Sequence, residues 1–92
     1  MQEINKIVNN YCDLNEITKE ELLNRSRKRE FIEKRVILIN ILRKKRFTFE
    51  LIGKVMNLDH STIMYHTKDF DFMMQHNLEL REQYETFKNN LK

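Results

Sequence analysis

The chain has 92 residues, 40% of them apolar, with one cysteine, one glycine and no proline, which sets a single domain over residues 1–92 near the lower end of what buries a core unaided. Lone Cys12 excludes an internal disulfide and gives no reason for an oxidising compartment, and the longest apolar stretch, residues 36 to 42, holds Asn40 and is far too short to span a bilayer. The net charge of +3 is unevenly spread: ten of the 17 Lys and Arg lie between residues 25 and 46 beside only two acids, Glu30 and Glu33, leaving that segment at +8 and the remainder at −5.

So few helix breakers among so many Leu, Ile, Glu, Lys and Arg predict an all-α fold, a compact domain of about six helices. No alternating run bounded by turn residues argues for a sheet. Ile4, Ile7, Val8 and Tyr11 recur at helical spacing, predicting an amphipathic helix over residues 2 to 12. This polar, amphipathic start is unlike a signal peptide, so a cytoplasmic protein is expected. Thr18 followed by Glu21 fits a capping box opening a short helix through Leu22 and Leu23 to about Asn24. A basic loop follows. From about 30 to 45 the apolar residues Phe31, Ile32, Val36, Leu38, Ile39, Ile41 and Leu42 line more than half the circumference of a helix, the pattern of a central one. Lys44, Lys45 and Arg46 at its end complement the helix dipole.

Thr48 is placed to cap a fourth helix over residues 49 to 56, with Phe49, Ile52, Val55 and Met56 facing inward. Gly53 sits inside that helix at a cost of about 1 kcal/mol relative to alanine, which close approach of another helix would offset. Asn57 suits the left-handed position that stops a helix. Asp59 is a good N-cap for the next helix, expected over residues 60 to about 74, with Ile63, Thr67 and Phe70 inward and His60, Ser61, Thr62 and Tyr65 outward. Asn77 opens a last helix to about residue 91, with Leu80, Tyr84, Phe87 and Leu91 on its inner face. Met56, Met64, Met73, Met74, Phe70 and Phe72 are assigned to the core.

A helix ending at Met56, a short turn and a second helix opening at Asp59 make a helix-turn-helix, whose second helix enters the major groove of DNA and touches base edges with its N-terminal residues. Here those residues are Asp59, His60, Ser61 and Thr62. Asp can accept from a cytosine amino group, His and Ser can donate or accept, and the Thr62 methyl can pack on a thymine methyl. The +8 segment predicts one positive region on an otherwise acidic surface, the footprint of a polyanion binder, where the plainer reading is a pair of solvated helix ends.

The run Asp59-His60-Ser61-Thr62-Ile63, preceded by Leu51-Ile52-Gly53, resembles the C-terminal DNA-binding domain of the bacterial replication initiator DnaA, a TrpR-like helix-turn-helix. The likeness extends back through Arg35, the Leu22-Leu23 pair with its basic loop, and Tyr11, covering about residues 8 to 91. It implies that Arg29 reaches into the minor groove and that Asp59, His60, Ser61 and Thr62 read bases in the major groove. Arg25, Arg27, Lys28, Arg35, Thr48 and Lys68 become candidates for backbone contacts. Two departures stand out. The turn before Asp59 is one residue shorter than the family's, with Leu58 where the family has an arginine. No Gly-rich Lys-Ser/Thr loop occurs, so the expectation is a stand-alone module without the family's ATPase domain and without a nucleotide or other cofactor.

The expected function is sequence-specific double-stranded DNA binding at DnaA-box-like sites, regulating replication or transcription, in a bacterial or phage-encoded, nucleoid-associated protein. The alternative is a protein-interaction module that keeps this fold and binds a replication or transcription protein through the acidic last helix (Glu79, Glu82, Glu85) and a Met/Phe surface. An enzyme is not expected: there is no Ser-His-Asp pattern, no paired carboxylate in an apolar setting, and no basic neighbour to activate Cys12. Nor is a metal: of His60, His66 and His76 the first two fall on different helix faces, and no Cys or acid completes a tetrahedral set.

Overall fold

The scarcity of breakers is matched by an all-helical chain. A computed structural model describes residues 2–23 and 29–90, the side chains of Gln2 and Arg29 excepted. Among the described residues there are seven helices and no strand: α1 (Gln2–Leu14), α2 (Lys19–Leu23), α3 (Arg29–Lys44), α4 (Phe49–Met56), α5 (His60–Lys68), α6 (Phe70–His76) and α7 (Leu78–Asn90).

Helix α1 buries the stripe Ile4, Ile7, Val8 and Tyr11. It stops where Glu16 takes a left-handed φ of 57° and the Ile17 amide donates back to the Cys12 carbonyl at 3.0 Å, satisfying a carbonyl the helix leaves open. The capping box of α2 forms in both directions. The Thr18 amide donates to Glu21 Oε1 and the Glu21 amide to Thr18 Oγ1, each at 3.0 Å.

Helix α3 is the centre. All seven residues from 36 to 42 are buried, Asn40 included, so this half of the helix is enclosed on every side, by α1, α2, α4, α5 and α7. Two long-range hydrogen bonds fix its first half. The Tyr11 hydroxyl donates to the Lys34 carbonyl at 2.9 Å, and Arg35 Nε donates to the Leu22 carbonyl at 2.7 Å, closing the C-terminus of α2 onto α3.

One element differs from expectation. The helix expected from 60 to about 74 is two helices, α5 and α6, with Asp69 between them at φ −110° and ψ 18°. Aspartate is a poor helix-interior residue because its carboxylate competes for nearby backbone groups. Re-aiming the chain at this point sets Phe70 against Tyr84 of α7, ring centroids 5.0 Å apart in an edge-to-face pair. Met64, Phe72 and Met73, assigned to the core at the sequence level, are 48%, 64% and 39% exposed, while Met56 and Phe70 are buried and Met74 packs against the core. Asn77 opens α7 by accepting the Leu80 amide at 3.0 Å. Leu80 and Tyr84 face inward, and Phe87 meets Tyr11 edge-to-face at 5.1 Å; Leu91 lies outside the described residues.

Candidate nucleic-acid interface

The two helices that meet at residues 57–59 are built by local hydrogen bonds that the sequence specifies. Thr48 sits in extended backbone and its Oγ1 accepts the Leu51 amide at 3.1 Å, capping α4. At the other end Asn57 turns left-handed, φ 56° and ψ 43°, and its amide donates to the Gly53 carbonyl. The Leu58 amide donates to that same carbonyl at 2.9 Å. Asp59 then caps α5, Oδ1 accepting the Thr62 amide at 2.8 Å. The turn is therefore three residues long, with every bond inside it made by its own backbone or a cap.

Gly53 has a different purpose from the expected helix-helix contact. A Cβ built there would lie 2.7 Å from the Leu58 carbonyl oxygen and 3.8 Å from Ile63 Cγ1. The turn itself folds back over α4 at this point, and glycine is what lets it lie so close.

At the head of α5 the side chains divide as their spacing requires. Ile63 is fully buried, Thr62 is half-buried, and His60 and Ser61 are exposed. Hydrogen bonds from the Thr62 hydroxyl and amide hold the Asp59 carboxyl below the usual carboxylate range, so it is ionised at neutral pH. One turn further on, Tyr65 is 73% exposed. Between α4 and α5 lies an open cleft of about 880 Å³, its wall including Glu50, Lys54, Asn57, Asp59, His60 and Thr62. A convex helix end carrying mixed donors, acceptors and a methyl, beside a shallow polar cleft, suits the edges of bases rather than an enclosed small molecule.

Two residues that sequence reasoning did not single out for this face, Phe49 and Arg43, belong to it. Phe49, at the first position of α4, stacks on the His60 imidazole with centroids 5.6 Å apart and planes 26° from parallel. The guanidinium of Arg43 lies over the same phenyl ring, 4.3 Å from its centroid, while Nη1 donates to the Phe47 carbonyl at 3.0 Å. Tyr65, four residues after Ser61, is exposed on the same face, as its spacing predicts.

Asn40 is the third structural surprise. From the buried wall of α3 its Nδ2 donates to its own helix at Val36 (2.8 Å) and across to the carbonyl of His66 (3.1 Å), near the C-terminus of α5. It pins the far end of α5 to the central helix. His66 itself is half-buried, and desolvation, helped by the nearby Arg35 charge, pushes its imidazole below the ordinary value. The sign follows directly. The unfolded chain takes up a proton as pH falls through about 6.5, the folded chain only below that. Stability from the neutral imidazole is thus fully present above about pH 6.5 and is lost as pH falls from there towards the folded value. A denaturant titration from pH 7.5 down to 5 should show this decline, and His66→Gln should flatten it. An unchanged slope in the variant would assign the decline to other groups.

Among the described residues, positive charge gathers at the C-terminal end of α3. Arg43, Lys44, Lys45 and Arg46 are exposed at its C-terminal end, with Arg46 at a left-handed φ of 72°. Arg29 starts the helix at the other end, roughly 22 Å away at 1.5 Å per residue. The expected positive region joins these groups to the basic run before α3, which apart from the Arg29 backbone lies outside the described residues. Arg25, Arg27 and Lys28 lie outside the described residues, as does the Arg29 side chain. Lys68 is exposed in the last turn of α5. Arg35 is half-buried with its Nε committed to Leu22.

Elsewhere the Cys12 thiol is buried and pushed up by burial first and Asp13 second, which keeps it protonated. Among the described residues no three His, Cys, Asp or Glu side chains are grouped to hold a metal ion, and no helix is long and apolar enough to cross a membrane. The family model described as bacterial dnaA protein helix-turn-helix matches residues 1–69, three quarters of the chain, ending where α5 gives way to α6. No curated protein and no solved structure matches it.

Proposed function

The chain belongs to the bacterial DnaA helix-turn-helix family, and from that membership we propose that it binds double-stranded DNA sequence-specifically, with α5 in the major groove. The observation that carries this reading is the head of α5, where an ionised, capping Asp59, His60 and Thr62 line an open cleft and Ser61 is exposed beside them. Thr62 spends its amide and hydroxyl on Asp59, which leaves its methyl for a thymine. Arg29 is assigned to the minor groove. Arg25, Arg27, Lys28, Arg35, Thr48 and Lys68 are assigned to the phosphates, Thr48 through the proton of the hydroxyl whose oxygen caps α4. Basic groups at the two ends of α3 would meet phosphates on either side of the groove that α5 fills, supplying affinity without sequence preference.

The matched family is a helix-turn-helix rather than an enzyme family, and the role proposed is occupancy of DnaA-box-like sites in a bacterial or phage nucleoid, regulating replication or transcription. The test is fluorescence anisotropy on a DnaA-box duplex and a scrambled duplex across a salt series. Salt-sensitive binding that prefers the box duplex is the expected result; equal binding to both would remove the sequence-specific part of the proposal. Binding to neither would favour the second reading, a protein-interaction module. Its support is the exposure of Phe72, Met73 and Leu78 beside acidic α7, all beyond the matched residues.

A further inference from the structure

Among the described side chains at the head of α5, His60 is the one with a ring partner on another helix. Its ring lies against Phe49, which belongs to α4, and Phe49 in turn lies against the guanidinium of Arg43 at the end of α3. Three helices thus contribute one residue each to a continuous stack. Its two ends are anchored differently. Arg43 is held by the Phe47 carbonyl as well as by the ring, and His60 is the first residue of α5, whose backbone is fixed by the Asp59 cap. An exposed histidine on a helix end would otherwise sample several staggered rotamers, and ordering it on a base would cost conformational entropy. Stacking on Phe49 favours one orientation of the imidazole before any ligand arrives.

Phe49 is suited to that role and is not required for the fold by burial. It is half-buried and packs at the edge of the core rather than within it. An aliphatic side chain of similar size would keep the apolar contact while losing the flat ring that both neighbours contact. The cation–π contact with Arg43 and the stacking of His60 both need a flat aromatic ring.

We propose that Phe49 is a specificity-determining positioning residue: by stacking on His60, and being itself held by Arg43, it fixes the imidazole in the orientation that reads a base. This rests on the DNA-binding reading above, in which His60 touches a base edge. It adds that the preference at the His60 position is set by a residue of α4 that touches no base. Arg43 has the supporting part, keeping the phenyl ring in place.

Two measurements on the whole chain test this and separate it from the reading it rests on. In the free protein, the His60 ring protons should be displaced from random-coil NMR shifts by the Phe49 ring current. The displacement should persist in Phe49→Tyr and collapse in Phe49→Leu. Then wild type, Phe49→Leu, Phe49→Tyr and His60→Ala are each put through selection from a randomised duplex pool, which yields base preferences without presuming a target. Phe49→Leu should lose preference at the same base positions as His60→Ala, by about tenfold. It should keep the preferences elsewhere in the site and the affinity for the unselected pool. Phe49→Tyr should restore wild-type preferences, and adding His60→Ala to Phe49→Leu should lose little more. A Phe49→Leu protein with wild-type preferences, or one weakened evenly at every position, overturns the proposal, and so does a random-coil His60 ring in the wild type. If wild type itself enriches nothing, the DNA-reading function fails and the specificity role falls with it. The ring-current measurement, made without DNA, then still shows whether the stack existed.

Discussion

Gly53→Ala should destabilise the protein by about 1–3 kcal/mol, the range for an overpacked methyl in a site that cannot yield. Helix propensity alone predicts the opposite sign, since alanine inside a helix is favoured over glycine by roughly 1 kcal/mol. The structure decides between them. The added Cβ would stand 2.7 Å from the Leu58 carbonyl oxygen, which is backbone and cannot rotate away. Moving it means moving Leu58, whose own amide is bound to Gly53, and Asp59, whose carboxylate caps α5. The three-residue turn would have to open as a unit. Thermal unfolding by circular dichroism would show a midpoint lowered by roughly 4–8 °C per kcal/mol in a chain of this size. DNA discrimination should fall with it, because the head of α5 is carried on the displaced turn. A Gly53→Ala protein as stable as wild type would mean that the turn is looser than described.

That example also marks where sequence reading reached its limit. Gly53 was visible as an anomaly inside α4, but whether helix or turn approached it depends on a backbone oxygen five residues on. The caps were fully legible. Thr18 with Glu21, Thr48 and Asp59 each act over three residues, so the residue type and the spacing settle the bond. Asn57 at the end of α4 was legible for the same reason. The break at Asp69 was not, because Ile63, Thr67, Phe70 and Met74 keep helical spacing straight across it. The break goes with the packing of Phe70 on Tyr84, a contact between residues 14 apart in the chain. Asn40 looked like an interruption in an apolar run. Only the tertiary arrangement turns it into the donor that holds the His66 carbonyl. The site followed the same rule. Residues contiguous in the chain, 59 to 62, were found together, whereas Arg43, Phe49 and His60 meet only once three helices are packed.

His60→Ala and Thr62→Ala should each weaken binding to the preferred duplex by about 1–3 kcal/mol, the discrimination carried by a well-made base contact, while leaving affinity for a scrambled duplex nearly unchanged. Neither change should disturb the helix start. The α5 cap uses the Thr62 amide and the Asp59 carboxylate, both kept in Thr62→Ala, and His60 is exposed. Thr62→Val keeps the methyl and removes the hydroxyl, so it should retain most of the preference if the methyl meets a thymine. Lys44→Ala is the counterpart. Exposed at the end of α3, it can contribute only to phosphates, so its loss should weaken both duplexes alike and reduce the salt dependence by about one released counterion. Anisotropy titrations of the four variants on both duplexes over a range of salt would separate the two classes. If His60→Ala and Lys44→Ala lower both affinities by the same factor, base reading does not lie at the head of α5, and the affinity of this surface is electrostatic throughout.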